Sequence, residues 1–301
     1  MIPRTLTLSN GVVSHVVVSM RPHHWVKNGF IFAPLIFSKK LMALQANLDL
    51  LAGFFLFCLV SGSVYILNDV LDRAADSRNP VKRHRPIPAG KLSASRALAA
   101  AAAVASPCVL LGFFLSREFG IVLCVYILIN IAYSSWLKHV VIIDVFVIAL
   151  GFFLRILAGI VLVRAETSEW VYVAAIFLTL FLGFGKRRAE LLTAQSGEPS
   201  QKRRVLDEYN APFLDSLLIL TATGVIISYM LYTVSDYAYA KFGTKGLLVS
   251  SIFVLYGLLR YYYLLYVRKL CDSPAEVILT DVPLLVSVIL WALSSSLIIY
   301  R

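Results

Sequence analysis

Residues 51–86 read LAGFFLFCLVSGSVYILNDVLDRAADSRNPVKRHRP. No charge interrupts the stretch from Leu51 to Leu67, and then both signs arrive densely. Asp69, Asp72 and Asp76 follow at once, mixed with and followed by Arg73, Arg78, Lys82, Arg83 and Arg85. An apolar run this long approaches the roughly 20 residues a helix needs to cross a bilayer. The stretch therefore reads as a membrane helix that delivers a charged cluster to the water interface.

The pattern repeats along the chain. The 301 residues are 59% hydrophobic, with a mean hydropathy of +0.80. That exceeds the apolar share of ordinary soluble domains. Nine crossings are expected, near 28–45, 48–68, 93–115, 119–136, 140–163, 169–186, 213–235, 246–266 and 282–300. Pro34, Lys39 and Lys40 make the first the weakest. The fold class is thus an all-α polytopic membrane protein forming one integral membrane domain over 1–301. Residues 1–27 form an N-terminal interfacial segment, and 28–301 form the helical bundle.

The net charge is +11, and its placement decides what it means. Arg73 to Arg96, Lys138, the run from Lys186 to Arg204, Arg268 and Lys269 fall on one side, with Arg4, Arg21 and Lys27. The other side holds only Lys39, Lys40, Arg117, Arg164, Lys241 and Lys245. Such asymmetry marks the cytoplasmic face of a plasma-membrane protein, with the N-terminus inside and the C-terminus outside. It suits anionic lipid and a polyanionic substrate, not nucleic acid. Cys58, Cys108, Cys124 and Cys271 lack paired spacing and read as small hydrophobes. The alanine-rich stretch around 94–105 reads as close helix packing.

Asp69, Asp72 and Asp76 stand at i, i+3, i+7, which share one face of a continuous helix. Three like charges on one face suit a divalent cation, and carboxylates with phosphate oxygens suit Mg²⁺. Asn68 adds an amide oxygen beside them. The alternative is a solvated loop whose acids pair with nearby cations. Lys82, Arg83 and Arg85 could neutralise the remaining phosphate charge, Arg as a fork and Lys as a point charge.

A second cluster runs from Tyr133 to Gly159, with Lys138 before it. Asp144 and Arg155 lie inside apolar sequence about three helical turns apart. Intramembrane charges usually serve function, although a structural Asp–Arg pair is the rival reading. In GFGKRRAELL, Lys186 and Arg187 add cations, and Lys186 could pair with Glu190. Arg260 lies within a later span and Asp281 opens the last. In RPHHWVKN, Lys27 joins the cationic set, while His23 and His24 read as interfacial.

NDVLDRAADSRNPVKRHRPIPAG resembles the first Asp-rich motif, NDxxDxxxD, of the UbiA-type intramembrane prenyltransferases. The second DxxxD usual there is replaced by YSSWLKHVVIID. With RPHHWVKN, Arg155, GKRRAEL, LRYYYLL and SPAEVILTD, this pattern is similar to one branch, the decaprenyl-phosphate phosphoribosyltransferases. The resemblance implies transfer of 5-phosphoribose from 5-phosphoribosyl diphosphate to a polyprenyl phosphate, with Mg²⁺ and release of diphosphate. In that branch the product feeds arabinose donors for cell-wall polysaccharide. Asn68, Asp69, Asp72 and Asp76 would hold the metal. Lys82, Arg83 and Arg85 would meet the leaving group. Lys27, Tyr133, Lys138, Arg155, Lys186, Arg187 and Arg260 would bind the two substrates, and Asp144 would orient the sugar. An aromatic prenyltransferase and a transporter of a phosphorylated solute are the alternatives, and homo-oligomerisation is left open.

Overall fold

The computed structural model describes residues 11–195, 204–268 and 274–301. Arg4, Lys202, Arg203, Lys269 and Cys271, used above, lie outside the described residues. The described chain folds into α1 Val12–Ser19, α2 Ala33–Phe37, α3 Leu44–Leu71, α4 Arg73–Asp76, α5 Ala94–Leu115, α6 Arg117–Ser135 and α7 Ile143–Leu162. There follow α8 Glu169–Gln195, α9 Ala211–Val234, α10 Asp236–Phe242, α11 Ser251–Tyr266, α12 Pro274–Thr280 and α13 Val282–Tyr300. Among the described residues there is no strand. Eight helical stretches are long and apolar enough to span a membrane: α3, α5 to α9, α11 with its preceding 3-10 turn, and α13.

The first expected span takes another form. Pro22–Phe32 is a 3-10 helix, and only Ala33–Phe37 beyond it is α-helical. A 3-10 helix rises about 2.0 Å per residue, so the two pieces together reach about 30 Å, the thickness of a bilayer core. Its ends agree with that length. Arg21 pairs with Asp69 near the end of α3, while the Lys40 ammonium donates to the carbonyls of Val163 (2.8 Å) and Arg164 (3.2 Å) beyond α7. So long a 3-10 run is unfavourable by itself, and tertiary contacts hold it. At Gly159 of α7 a Cβ would come 2.0 Å from the Ile31 carbonyl oxygen, so only glycine lets the segment lie this close.

Helix α7 is the hub. Its Val145 and Ala149 join the core built by α8, α9 and α11 around Phe181, Leu214, Leu218 and Tyr261. Its Leu154, Ala158 and Leu162 join the core of α3 and α6 around Phe57, Phe119 and Leu123. The chain starts several helices with polar caps, as their sequences invite: the side chains of Ser116, Asn210 and Asp281 accept from the backbone N–H three residues on. In the alanine-rich α5, Ala97 and Ala101 are buried, beside Met20 and Ile66. The expected loop after residue 186 is shorter than anticipated, because α8 continues to Gln195 and carries Lys186, Arg187 and Glu190 as helix residues.

Candidate active site

The acidic motif does not ride on one continuous helix. Helix α3 ends at Leu71, Asp72 caps it, and α4 restarts at Arg73. Past α4 the chain turns back by local rules. The Asn79 side-chain oxygen accepts from the N–H groups of Val81 and Lys82, both at 3.0 Å, an Asx turn around Pro80. Arg85 is extended (ψ 149), as a residue before proline prefers. Ile87 and Leu92 are fully buried among Ile66, Met20 and Ala97, and they fasten the loop to the bundle. Asp69 and Asp76 thereby come together across the break.

Their environment is dense in charge. Arg85 Nη1 lies between them, 3.1 Å from Asp69 Oδ1 and 2.9 Å from Asp76 Oδ2. Arg21 also pairs with Asp69, and Lys82 Nζ is 3.3 Å from Asp76 Oδ1. The acid side chains are 3% and 6% exposed, the Arg85 and Lys82 side chains 32% and 36%. Burial, then the nearby Arg21, pulls the Arg85 guanidinium below its ordinary value. Asp72 points elsewhere, to Lys138 on the α6–α7 connection. The Asn68 amide oxygen accepts from the Ser134 hydroxyl. Arg83 is exposed and donates to His84.

Arg21 was not singled out from sequence as a site residue, nor was His24. The latter packs edge-on to Tyr65 at 5.2 Å, and Arg21 lies over the same ring at 5.0 Å. Lys27 stands on the same 3-10 segment and Lys186 on α8. The sign available in the sequence was the R-x-x-H-x-x-K spacing, which recurs every 3 residues, the period of a 3-10 helix.

The second cluster is closed. Asp144 and Arg187 are both fully buried and meet at 2.5 Å, Nε to Oδ2. Arg187 also donates to Glu190 and to the Tyr133 hydroxyl at 3.1 Å. Tyr209 donates to Asp144 Oδ1 at 2.8 Å and accepts from the Ile142 N–H at 2.7 Å. Ile142 has φ 68, and the Ile143 N–H reaches the Val141 carbonyl at 2.8 Å; this is a strained γ-turn at a β-branched residue. Tyr209 holds it from outside, and burial followed by the Asp144 carboxylate raises its phenol above the ordinary value. Asp144, expected to orient a substrate, and Arg187 and Tyr133, expected to bind one, are engaged with one another.

Two further arginines have partners of their own. Arg155 does not meet Asp144. It donates to Asn28 Oδ1 (2.7 Å), the Gly151 carbonyl (2.5 Å) and the Tyr126 hydroxyl (2.9 Å), between the rings of Phe57, Tyr126 and Phe152. It stands about 16 Å along α7 from Asp144 at 1.5 Å per residue, and through Asn28 it ties the 3-10 segment to α7. Arg260 is held in a two-pronged pair by Asp281, 3.0 and 2.8 Å, which also caps α13.

For a divalent cation the donor chemistry is favourable at one place. Asp69 and Asp76 offer hard oxygens within about 6 Å of each other, judged from the nitrogen they share. Asp72 and Asn68 are turned to other partners. The described residues contain no cluster of three or more acidic, His or Cys ligands. A metal here would be held by two carboxylates and completed by substrate oxygens, the usual manner for Mg²⁺.

A family model described as the UbiA prenyltransferase family matches residues 31–194. The chain is 31% identical to the decaprenyl-phosphate phosphoribosyltransferase of Mycolicibacterium smegmatis, over 74% of this chain and 71% of that protein. It is 30% identical to the protein of the same name from Mycobacterium tuberculosis, over 83% of each. A solved UbiA homologue from Archaeoglobus fulgidus, bound to GPP and Mg²⁺, superposes with a TM-score of 0.70 at 17% identity, over 95% of this chain and all of that one.

Proposed function

The chain belongs to the UbiA prenyltransferase family, and on that premise we propose that it transfers 5-phosphoribose from 5-phosphoribosyl diphosphate to a polyprenyl phosphate at the cytoplasmic face of the plasma membrane. The observation that carries this reading is the contrast between the two acid motifs. Asp69 and Asp76 lie under cations with partly exposed side chains, whereas Asp144 is fully buried and its oxygens are taken by Arg187 and Tyr209. One open carboxylate site suits a single metal-bound diphosphate. It does not suit a prenyl diphosphate held between two acidic motifs, as an aromatic prenyltransferase would need. The similarity to two proteins named for the phosphoribosyl reaction supports the same choice.

Mg²⁺ held by Asp69 and Asp76 would supply charge neutralisation for the diphosphate as it departs. Lys82, Arg85 and Arg21 are placed to meet the phosphate oxygens around it. Lys27, Lys186 and Lys138 extend the positive rim toward a second phosphate. A polyprenyl phosphate lying between helices would bring its headgroup to this rim. One of its oxygens bonds to the anomeric carbon while the bond from that carbon to the diphosphate oxygen breaks, and diphosphate keeps the electron pair. The attacking phosphate is already anionic near neutral pH, so no general base is required. Catalysis rests on position and preorganised charge. The purified protein, given Mg²⁺, labelled 5-phosphoribosyl diphosphate and polyprenyl phosphate, is expected to yield labelled lipid and diphosphate. No labelled lipid across several chain lengths would overturn the reading. Release of diphosphate from a prenyl diphosphate with an aromatic acceptor would replace it.

A further inference from the structure

We propose that Arg85 is a placeholder for the divalent cation: its guanidinium holds Asp69 and Asp76 together while the site is empty, and it moves onto the diphosphate when metal and donor bind. This rests on reading the rim as a metal–diphosphate site, but not on which sugar or lipid reacts. One nitrogen, Arg85 Nη1, touches both carboxylates at 3.1 and 2.9 Å. The same two carboxylates are the ones that would hold a divalent cation, so Arg85 and the cation compete for the same oxygens. Two buried carboxylates side by side repel each other, and a cation between them offsets that repulsion. Among the described residues Arg21 pairs with Asp69 and Lys82 with Asp76, and Arg85 is the cation that touches both.

Arg85 is also built to leave. Its side chain is about one-third exposed, and it sits on a loop whose anchoring falls to Ile87, Leu92 and the Asn79 turn instead. Its planar fork suits phosphate as well as carboxylate. Arg85 has a partner of opposite charge either way: without metal its guanidinium offsets part of the acids' charge, and with metal and donor it would offset part of the diphosphate's. Order follows from this: metal alone must displace Arg85, whereas metal arriving with diphosphate gives Arg85 a new partner. The site therefore favours the metal–diphosphate complex over free metal.

The test is an inverted effect. Mn²⁺ binding to the donor-free protein in detergent is measured by the electron paramagnetic resonance signal of free Mn²⁺. Arg85→Gln is expected to tighten Mn²⁺ binding about tenfold or more, the scale of removing one close competing charge. The same variant should weaken binding of inorganic pyrophosphate in the presence of Mn²⁺. Arg83→Gln removes the same charge from the same loop without touching either carboxylate, and should tighten Mn²⁺ less than twofold. Adding Asp69→Asn to Arg85→Gln should abolish the gain. Unchanged or weaker Mn²⁺ binding in Arg85→Gln, or equal tightening in Arg83→Gln, overturns the proposal. If Arg85→Gln is unstable, Mn²⁺ alone must raise its melting temperature more than it raises that of the unmodified protein; failure to do so also overturns it. Because none of these readouts requires turnover, a protein that makes no labelled lipid would refute the phosphoribosyl reading without touching this one.

Discussion

Asp69 and Asp144 each face an arginine, yet the two pairs behave as opposites. Asp69 lies at the end of α3 beneath Arg21 and Arg85, whose side chains are 16% and 32% exposed. Asp144 begins α7 and meets Arg187 with neither side chain exposed at all. At the first site water and ligands can compete for the cations, so the pairs can exchange. At the second they cannot, and the pair serves as a joint between α7 and α8. The difference teaches that charge within a membrane bundle is not one kind of signal: exposure of the cation separates a pair that can exchange partners from a fastening.

Breaking the fastening should have the largest effect. Asp144→Ala takes one of two carboxylates from the buried Arg187, leaving it Glu190 and Tyr133, and strips Tyr209 of its acceptor; it is expected to cost up to about 3–5 kcal/mol of stability, read as a large fall in thermal unfolding temperature in detergent. Asp69→Asn should do the reverse: little change in unfolding temperature, but turnover reduced on the order of 10²–10³-fold. A fully active Asp69→Asn protein would dissolve the comparison. Tyr209→Phe strips one hydrogen bond from Asp144 and leaves the Ile142 N–H unpaired, at a cost of about 1–3 kcal/mol, with a fall in turnover only as far as the second cluster supports the first.

Much of this arrangement was readable along the chain. Helical spans, the crowded rim and the acid motif are local properties, set by apolar run length and by i, i+3, i+7 spacing. The pairings were not. Arg21 reaches Asp69 across 48 residues, Arg187 reaches Asp144 across 43, and Tyr209 reaches it across 65. Spacing on one helix suggested instead that Asp144 and Arg155 belonged together. It also placed the three acids on one unbroken face, while the chain breaks at Asp72 and sends that residue to Lys138.

The sequence by itself determined that this chain lives in a membrane, that one rim carries its charge, and that Asp69 and Asp76 stand among cations there. The first two follow from the cost of burying charge and backbone in hydrocarbon, which any stretch of chain meets alone, and the third from closeness along the chain. Only the tertiary structure decided which charges stay available. That Arg155 is spent on Asn28, that Pro22–Phe32 folds as a 3-10 helix, and that Arg187 closes over Asp144 all depend on helices distant in sequence. A buried charge takes whatever partner packing brings within reach, and sequence spacing does not record that neighbour.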